Sequence, residues 1–151
     1  MSKSLDQTDC KIIAALDSDS RRSLADIGKD IGLSGPAIGE RVRQLREPGY
    51  IEGFGARVDL RRLGYTIQAV VRVKPRSGQL HIVEKMILEQ PWFMSCDRVT
   101  GDDCYVARLA LTDVAELDEI LLPFHDRAET NTSIVKSSIF ENRLPPLQPL
   151  G

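Results

Sequence analysis

The first 46 residues contain three segments whose hydrophobic positions have the spacing of an amphipathic helix. Each segment begins at a residue that caps a helix N-terminus well, namely Asp6, Ser23 and Ser34. The first two carry an acid three residues further on, Asp9 and Asp26, which is typical of a capping box. The apolar positions that we expect to face a core are, in chain order, Ile12, Ile13, Leu16, Leu24, Ile27, Ile31, Ile38, Val42 and Leu45.

The junction between the second and third segments has the composition of a tight turn. Gly32 supplies the positive φ that ends a helix at low cost, and Leu33 leads into the cap Ser34. Pro36 falls in the first turn of the third helix, where its missing N–H costs nothing. A helix, a glycine turn and a serine-capped helix predict a helix-turn-helix, the third helix being the recognition helix.

The outward face of the third helix has the residue types of a DNA-reading surface. Arg43 and Gln44 are long donors suited to base edges, and we expect Arg41 and Arg46 to hold phosphates. Glu40 offers an acceptor for a cytosine amino group, although it repels phosphate. Small neighbours would let the helix sit deep in the major groove. The predicted DNA-binding residues are Ser34, Gly35, Pro36, Gly39, Glu40, Arg41, Arg43, Gln44 and Arg46. A three-helix bundle without a DNA role is the alternative.

The rest of the chain predicts an α+β domain. A glycine-interrupted strand over 50–58 and a hinge over 59–64 lead into alternating residues at 66–74, a helix at 81–90, strands at 93–99 and 104–111, a helix begun by a capping box of Asp113 and Glu116, and a last strand at 133–140. We expect that helix to bury Val114, Leu117, Leu121 and Phe124. The order β-α-β-β-α-β is the ferredoxin-like pattern. The predicted boundaries are a helix-turn-helix domain with its linker strand at 1–62, a ferredoxin-like domain at 63–144, and a flexible or loosely docked proline-rich tail at 145–151.

One face of the predicted sheet is left without helices. On that face Val70, Val106 and Ala110 share the parity of polar neighbours such as Arg72 and Arg108. A half-apolar open face predicts a dimer formed sheet to sheet. A merely solvated antiparallel sheet is the alternative.

Composition narrows the function classes. The content of 42% hydrophobic and 28% charged residues is that of a globular protein. No apolar run could span a membrane, and the N-terminus has no export signal, so we expect a cytoplasmic protein. The cysteines at 10, 96 and 104 are scattered, which predicts reduced thiols acting as small hydrophobes and no zinc site, with redox sensing as the alternative. The formal net charge is −2, so the prediction of DNA binding depends on the local distribution of charge. The arginines that favour it are Arg41, Arg43, Arg46, Arg57, Arg61 and Arg62.

Taken together, the segments resemble the Lrp/AsnC, or feast/famine, transcriptional regulators. Five short motifs carry the resemblance along nearly the whole chain: Leu5-Asp6-x-x-Asp9, Gly32-Leu33-Ser34, Arg41-Val42-x-x-Leu45, Gly49-Tyr50-Ile51-x-Gly53-Phe54 and Val99-Thr100-Gly101-Asp102. The resemblance implies a winged-helix-like DNA-binding domain joined to a ferredoxin-like effector domain. It also implies dimers that assemble into tetramers, octamers or hexadecamers, with amino acids or related metabolites bound where dimers meet.

The resemblance places the effector in the loop between the predicted strands at 93–99 and 104–111. The predicted effector-binding residues are Thr100, Gly101, Asp102, Asp103, Thr132 and Ser133. A carboxylate there would take an α-ammonium group, and the hydroxyl and backbone N–H groups would take an α-carboxylate. Relatives commonly carry an acid where this chain has Cys104, so a smaller or less polar ligand, or none, stays open. An ordinary acidic hairpin turn is the alternative.

Two other functions stay open beside a regulator with an effector. An architectural protein that compacts DNA without an effector would suit the few base-reading side chains of the third helix. A siroheme decarboxylase-like enzyme would need catalytic histidines, and His81 and His125 both fall at helix ends where a solvated or capping role is more common. We find no nucleophile–base pair and no phosphate loop, so we predict a non-enzyme without a cofactor or a bound metal.

Overall fold

The structure, a computed structural model, describes residues 4–150 and divides the chain into two compact units. The first contains the residues up to Arg57 together with those from Phe140 onward, and the second runs from Val58 to Ile139. These limits differ from the predicted boundaries at 62/63 and 144/145. None of the helices within the described range is long and apolar enough to cross a membrane.

Three helices form the first unit: α1 Gln7–Ser18, α2 Leu24–Ile31 and α3 Gly35–Arg46. Their predicted caps are present. The Asp9 N–H donates to Asp6 Oδ1 at 2.7 Å and the Asp6 N–H donates to Asp9 Oδ2 at 3.2 Å, which completes a capping box. Ser23 and Ser34 accept through Oγ from the backbone N–H groups three residues on, at 3.1 and 3.3 Å.

The core of the first unit is small and apolar. Its buried members are Leu5, Cys10, Ile12, Leu16, Ile27, Ile38 and Leu45, with Ile13, Ile31 and Val42 half-buried against them. The expectation that Leu24 is buried is wrong, because its side chain is 40% exposed at the start of α2. The helical spacing did not distinguish the rim of that face from its centre.

The α2–α3 turn depends on two glycines. Gly32 has φ +84°, the left-handed conformation that L side chains rarely adopt. A Cβ on Gly28 would lie 2.3 Å from the Leu33 carbonyl oxygen, so the chain after α2 folds back directly over this residue. The geometry of the helix-turn-helix is therefore fixed at both positions by the absence of a side chain.

Residues 50–58, predicted as a strand, run as irregular chain without strand pairing. Within this unit the segment has no neighbouring strand, and Gly53 and Gly55 lower its own tendency to extend. The predicted proline-rich tail belongs to the same unit. Leu147 packs against the core, and the Leu150 N–H donates to the Leu5 carbonyl at 2.9 Å.

The second unit is the predicted ferredoxin-like arrangement. Its elements are β1 Ile67–Pro75, α4 Leu80–Glu89, β2 Phe93–Arg98, β3 Tyr105–Leu111, α5 Glu116–Leu121 with a following 3₁₀ turn Leu122–Phe124, and β4 Ala128–Ile134. The strands form one antiparallel sheet in the order β2-β3-β1-β4. Alternate residues of β1 and β3 face the helices. Tyr105 is buried among them, and Phe124, in the 3₁₀ turn, is the largest side chain of this unit that is fully buried.

Two predictions for this unit are wrong in detail. The last strand covers 128–134 and not 133–140, because β4 pairs with β1 from Pro75↔Ala128 to Ala69↔Ile134 and β1 begins only at Ile67. The capping box at Asp113 is replaced by local turns. Glu116 Oε2 accepts from the Thr112 N–H at 3.2 Å, and Asp113 Oδ1 accepts from the Ala115 N–H at 2.8 Å.

The start of α5 also changes which side chains are buried. Val114 precedes the helix and is 53% exposed, contrary to prediction, whereas Leu117, Leu121 and Phe124 are buried as predicted. Ile120, which was not predicted, joins them.

Candidate DNA interface and effector loop

The exposed face of α3 carries an internal network of charged side chains. Arg43 donates from Nε to Glu40 Oε2 at 2.9 Å and from Nη2 to Glu40 Oε1 at 2.6 Å, a two-pronged contact. Its Nη1 donates to Glu47, one turn further along. Gln44 Nε2 also donates to Glu40 Oε1, at 2.8 Å. Both predicted base-reading side chains are thus held by a single carboxylate.

Electrostatics agree with this geometry. The contact with Glu40, and then that with Glu47, raise the pKa of Arg43 above its ordinary value, so the guanidinium is charged at every working pH. The side chains of Arg43, Glu40 and Glu47 are each more than half exposed. The network is therefore solvated and can be exchanged for other partners at modest cost.

Arg46 lies at the C-terminal end of the same face. Its guanidinium carbon stands 5.7 Å from the ring centroid of Phe54, a cation–π contact. Phe54 is itself 49% exposed. Sequence reasoning did not select Phe54, and the pattern offered no signal for it beyond an aromatic residue between two glycines.

Arg41 was predicted to contact phosphate, and the structure shows it engaged elsewhere. Its Nη1 donates to Asp6 Oδ2 at 2.7 Å and to Asp9 Oδ1 at 2.8 Å, both at the start of α1. Asp9 is fully buried, and the Arg41 side chain is 30% exposed. The contact with Asp6, followed by that with Asp9, raises the pKa of Arg41. Arg41 therefore joins α3 to α1, and its contact with DNA phosphate stays a prediction.

Two small residues of α3 pack closely against α2. A Cβ on Gly35 would be 3.4 Å from the Ala25 backbone, and one on Gly39 would be 3.2 Å from Leu24 Cδ1. Both glycines therefore serve the packing of α2 on α3, and the expectation that they also let the helix approach DNA stays a prediction. Ser34 caps the helix and Pro36 is exposed in its first turn.

The predicted effector loop joins β2 to β3. Gly101 has φ +109° and Cys104 has φ +62°, so two of its residues are in left-handed backbone. Thr100, Gly101 and Asp102 are exposed, and Asp103 is half-buried. Asp103 Oδ2 lies 3.6 Å from Nε of Arg72 on β1. Arg72 was predicted to lie on the open face of the sheet but was not among the predicted effector-binding residues.

Thr132 and Ser133 lie on the edge strand β4, opposite Val71 and Val70 of β1. The loop directly precedes β3, the other neighbour of β1, and so lies next to the Val73↔Tyr105 pair. Within one chain β1 therefore separates the two halves of the predicted site. Both hydroxyl residues are exposed.

The open face of the sheet has the predicted mixed character. Val70 and Val106 are half-buried and Ala110 is buried, while Arg72 and Arg108 are exposed. Asp97 stands opposite Val106 on β2. No helix of this unit covers these positions, because α4 and α5 pack on the other face.

Comparison with known proteins identifies both units. The AsnC-type helix-turn-helix domain matches residues 5–46, and the Lrp/AsnC ligand binding domain matches residues 68–145. Among curated relatives, the Bkd operon transcriptional regulator of Pseudomonas aeruginosa is 38% identical over 78% of each chain. The transcriptional regulator LrpC of Bacillus subtilis is 30% identical over 89% of this chain and 94% of its own.

Solved structures share the fold. The structure of B. subtilis LrpC superposes with a TM-score of 0.84 at 30% identity, covering 91% of this chain and 99% of LrpC. A Neisseria meningitidis transcriptional regulator, NMB0573, solved as an L-Met complex, gives a TM-score of 0.87 at 23% identity, covering 94% and 96%. These matches confirm the predicted fold class and the family resemblance.

Proposed function

The chain belongs to the Lrp/AsnC family of transcriptional regulators, and from that premise we propose that α3 enters the major groove of double-stranded DNA and reads it through Arg43 and Gln44. The observation that carries the proposal is the exposed outer face of α3, which presents both donors beside Arg46. Arg46 would contact phosphate at the edge of the groove. Arg41, held by two aspartates, would position α3 from behind.

The test is DNA binding by alanine variants of the two exposed arginines. A preferred duplex is first selected from random sequence with the wild-type chain, and affinities are then measured by fluorescence anisotropy. We expect Arg43→Ala to weaken binding roughly 5- to 150-fold if it contacts a base. Arg46→Ala should weaken all sequences alike and reduce the salt slope by about one.

Arg21→Ala is the matched control, because Arg21 is an exposed arginine of the same unit that lies outside α3. It should leave the affinity within about twofold of wild type, since an exposed charge off the interface contributes little. Unchanged binding of the double variant Arg43→Ala/Arg46→Ala would refute this interface.

We propose that the second unit binds an amino acid through the loop Thr100-Gly101-Asp102-Asp103, completed by Thr132 and Ser133 of a neighbouring copy of the chain. Two observations support this. Asp103 lies within ion-pair distance of Arg72, and Gly101 leaves the backbone open to a ligand. The L-Met complex of the Neisseria relative makes methionine the first ligand to try.

Titration calorimetry tests the pocket. The amino acid that most raises the melting temperature is titrated into wild type, Asp102→Ala and Asp103→Ala. We expect at least one variant to lose affinity about tenfold or more, because a charge-assisted hydrogen bond to the α-ammonium group is removed. Asp118→Ala, an exposed acid on α5, is the control. Full affinity in both loop variants would move the site elsewhere.

The remaining parts of the proposal concern assembly and setting. Dimers form through the open sheet face, by way of Val70 and Val106, and dimers associate further into tetramers or octamers in the cytoplasm. The protein acts by binding and not by catalysis. Light scattering tests the assembly: a monomer at micromolar concentration would contradict it. An effector-induced change in assembly size would separate a regulated protein from a purely architectural one.

A further inference from the structure

Arg43 reaches DNA only by leaving a partner that is already in place. Both of its terminal nitrogens and its Nε donate to carboxylates of the same helix, two of the three to Glu40. Gln44 gives its amide to Glu40 as well. Any DNA contact made by either residue therefore competes with Glu40.

On DNA of arbitrary sequence this competition weakens binding in two ways. The exposed ion pair must be given up for a phosphate contact of similar strength, so little is gained. Glu40, once released from Arg43, brings a negative charge close to the phosphates, which repel it. Both effects act on every sequence, and both weaken non-specific binding.

A suitable base pair reverses the balance. A carboxylate accepts a hydrogen bond from the N4 amino group of cytosine, and an arginine makes two hydrogen bonds to O6 and N7 of guanine. Glu40 and Arg43 lie three residues apart on one helix face, so with α3 in the major groove they would face adjacent base pairs. Where both bases are present, Glu40 and Arg43 each exchange a partner on the helix for a partner on a base.

We propose that Glu40 is a specificity-determining residue, which weakens binding to non-cognate DNA by holding Arg43 and Gln44 and is released only at a site that offers a cytosine amino group. The inference rests on the proposed entry of α3 into the major groove. Glu40 acts here by direct base contact at the cognate site and by competition elsewhere.

The experiment compares Glu40→Gln with wild type on two DNA duplexes, the selected operator and a random-sequence duplex of equal length. Glutamine keeps the length of the side chain and removes its charge. We expect binding to random DNA to strengthen about 3- to 10-fold, because Arg43 is freed and a repulsive charge is lost. We expect the ratio of operator to random affinity to fall about tenfold or more, because one base contact is lost as well.

Two further variants separate the role of position from the role of charge. Glu47 is the other partner of Arg43 and lies at the C-terminal end of the helix, away from the base-reading turn. Glu47→Gln removes that partner and makes the same change in charge as Glu40→Gln. It should strengthen random binding without changing the selected sequence. Glu119→Gln makes the same change in charge on α5 of the second unit and should do neither.

A repeated selection with each variant gives the second measurement. Selection with Glu40→Gln should lose the preference for a G·C pair at one position and keep the others, while Glu47→Gln should keep all of them. The proposal is overturned if Glu40→Gln leaves random affinity and the selected sequence unchanged, or if Glu119→Gln reproduces its effect. Failure of the wild-type chain to select any sequence would instead refute the proposed DNA interface itself.

Discussion

Replacing Arg41 by methionine should destabilise the first unit without touching the outward face of α3. Methionine keeps much of the length of the side chain and removes the charge that faces Asp6 and Asp9. Asp9 is fully buried, so its carboxylate would lose the cation that compensates its desolvation. The change therefore tests whether the long-range pair stabilises the unit.

The size of the effect follows from the burial of the two partners. Removing one partner of a fully buried pair costs about 3–5 kcal/mol. Because the Arg41 side chain is 30% exposed and water weakens the pair, we expect a loss of about 2–3 kcal/mol in the free energy of unfolding. In a unit of this size that corresponds to a fall of roughly 10–20 °C in melting temperature.

Urea unfolding with two probes measures this loss. Far-UV circular dichroism follows the helices of both units, most of whose residues belong to α1, α2 and α3, while fluorescence of Trp92, the sole tryptophan, follows the second unit alone. We expect the first transition to shift and the second to stay. Arg43→Met, a matched change at an arginine whose partners are all exposed, should shift neither.

A double-mutant cycle with Asp9→Asn completes the argument. Asparagine keeps an oxygen for the capping box and removes the charge that needs Arg41. The double variant should lose less stability than the two single variants together, by about 2 kcal/mol. An unchanged urea midpoint for Arg41→Met would refute the pair as a source of stability.

Three further predictions follow from the structure. Gly28→Ala should lower the free energy of unfolding by about 3 kcal/mol or more in a urea titration, because the new Cβ meets the Leu33 carbonyl. Burial, and then the hydrogen bond to Glu84, raise the pKa of Tyr105 above its ordinary value. The contribution of this group to the free energy of unfolding is therefore present below pH 10 and is lost as the pH rises through the folded pKa, and Tyr105→Phe should remove a high-pH step from an absorbance titration at 295 nm. Burial also raises the pKa of Cys96, which should be alkylated at pH 8 more slowly than a peptide cysteine, as measured by peptide mapping.

The helices of the first unit could be predicted because their signals are local. A cap and its hydrogen-bond acceptor lie within three residues of each other, as at Asp6 and Ser34, so the sequence contains the whole interaction. The strand β1 was equally clear, because alternating Ala69, Val71 and Val73 report a sheet with one covered face.

The strand β4 was placed too late because its position is set by its partner. Residues 128–134 are mostly polar, as suits an edge strand with little burial, and offer weak alternation of their own. The more apolar stretch beyond Ile134 attracted the prediction. Pairing with β1 decides the matter, and that pairing joins residues more than fifty positions apart.

The same distinction explains which roles of the α3 arginines could be predicted from the sequence. Arg43 and Gln44 have partners three or four residues away, so their place on the outward face follows from helical spacing alone. Arg41, on the neighbouring side of the same helix, has partners 32 and 35 positions away, and only the packing of α1 on α3 brings them within reach. Gly39 is comparable, since the Leu24 side chain that occupies its space belongs to another helix. A recognition helix presents one side to DNA and packs its other sides on the domain. Which of its arginines lies on which side depends on long-range contacts, and the amino-acid composition does not show these contacts.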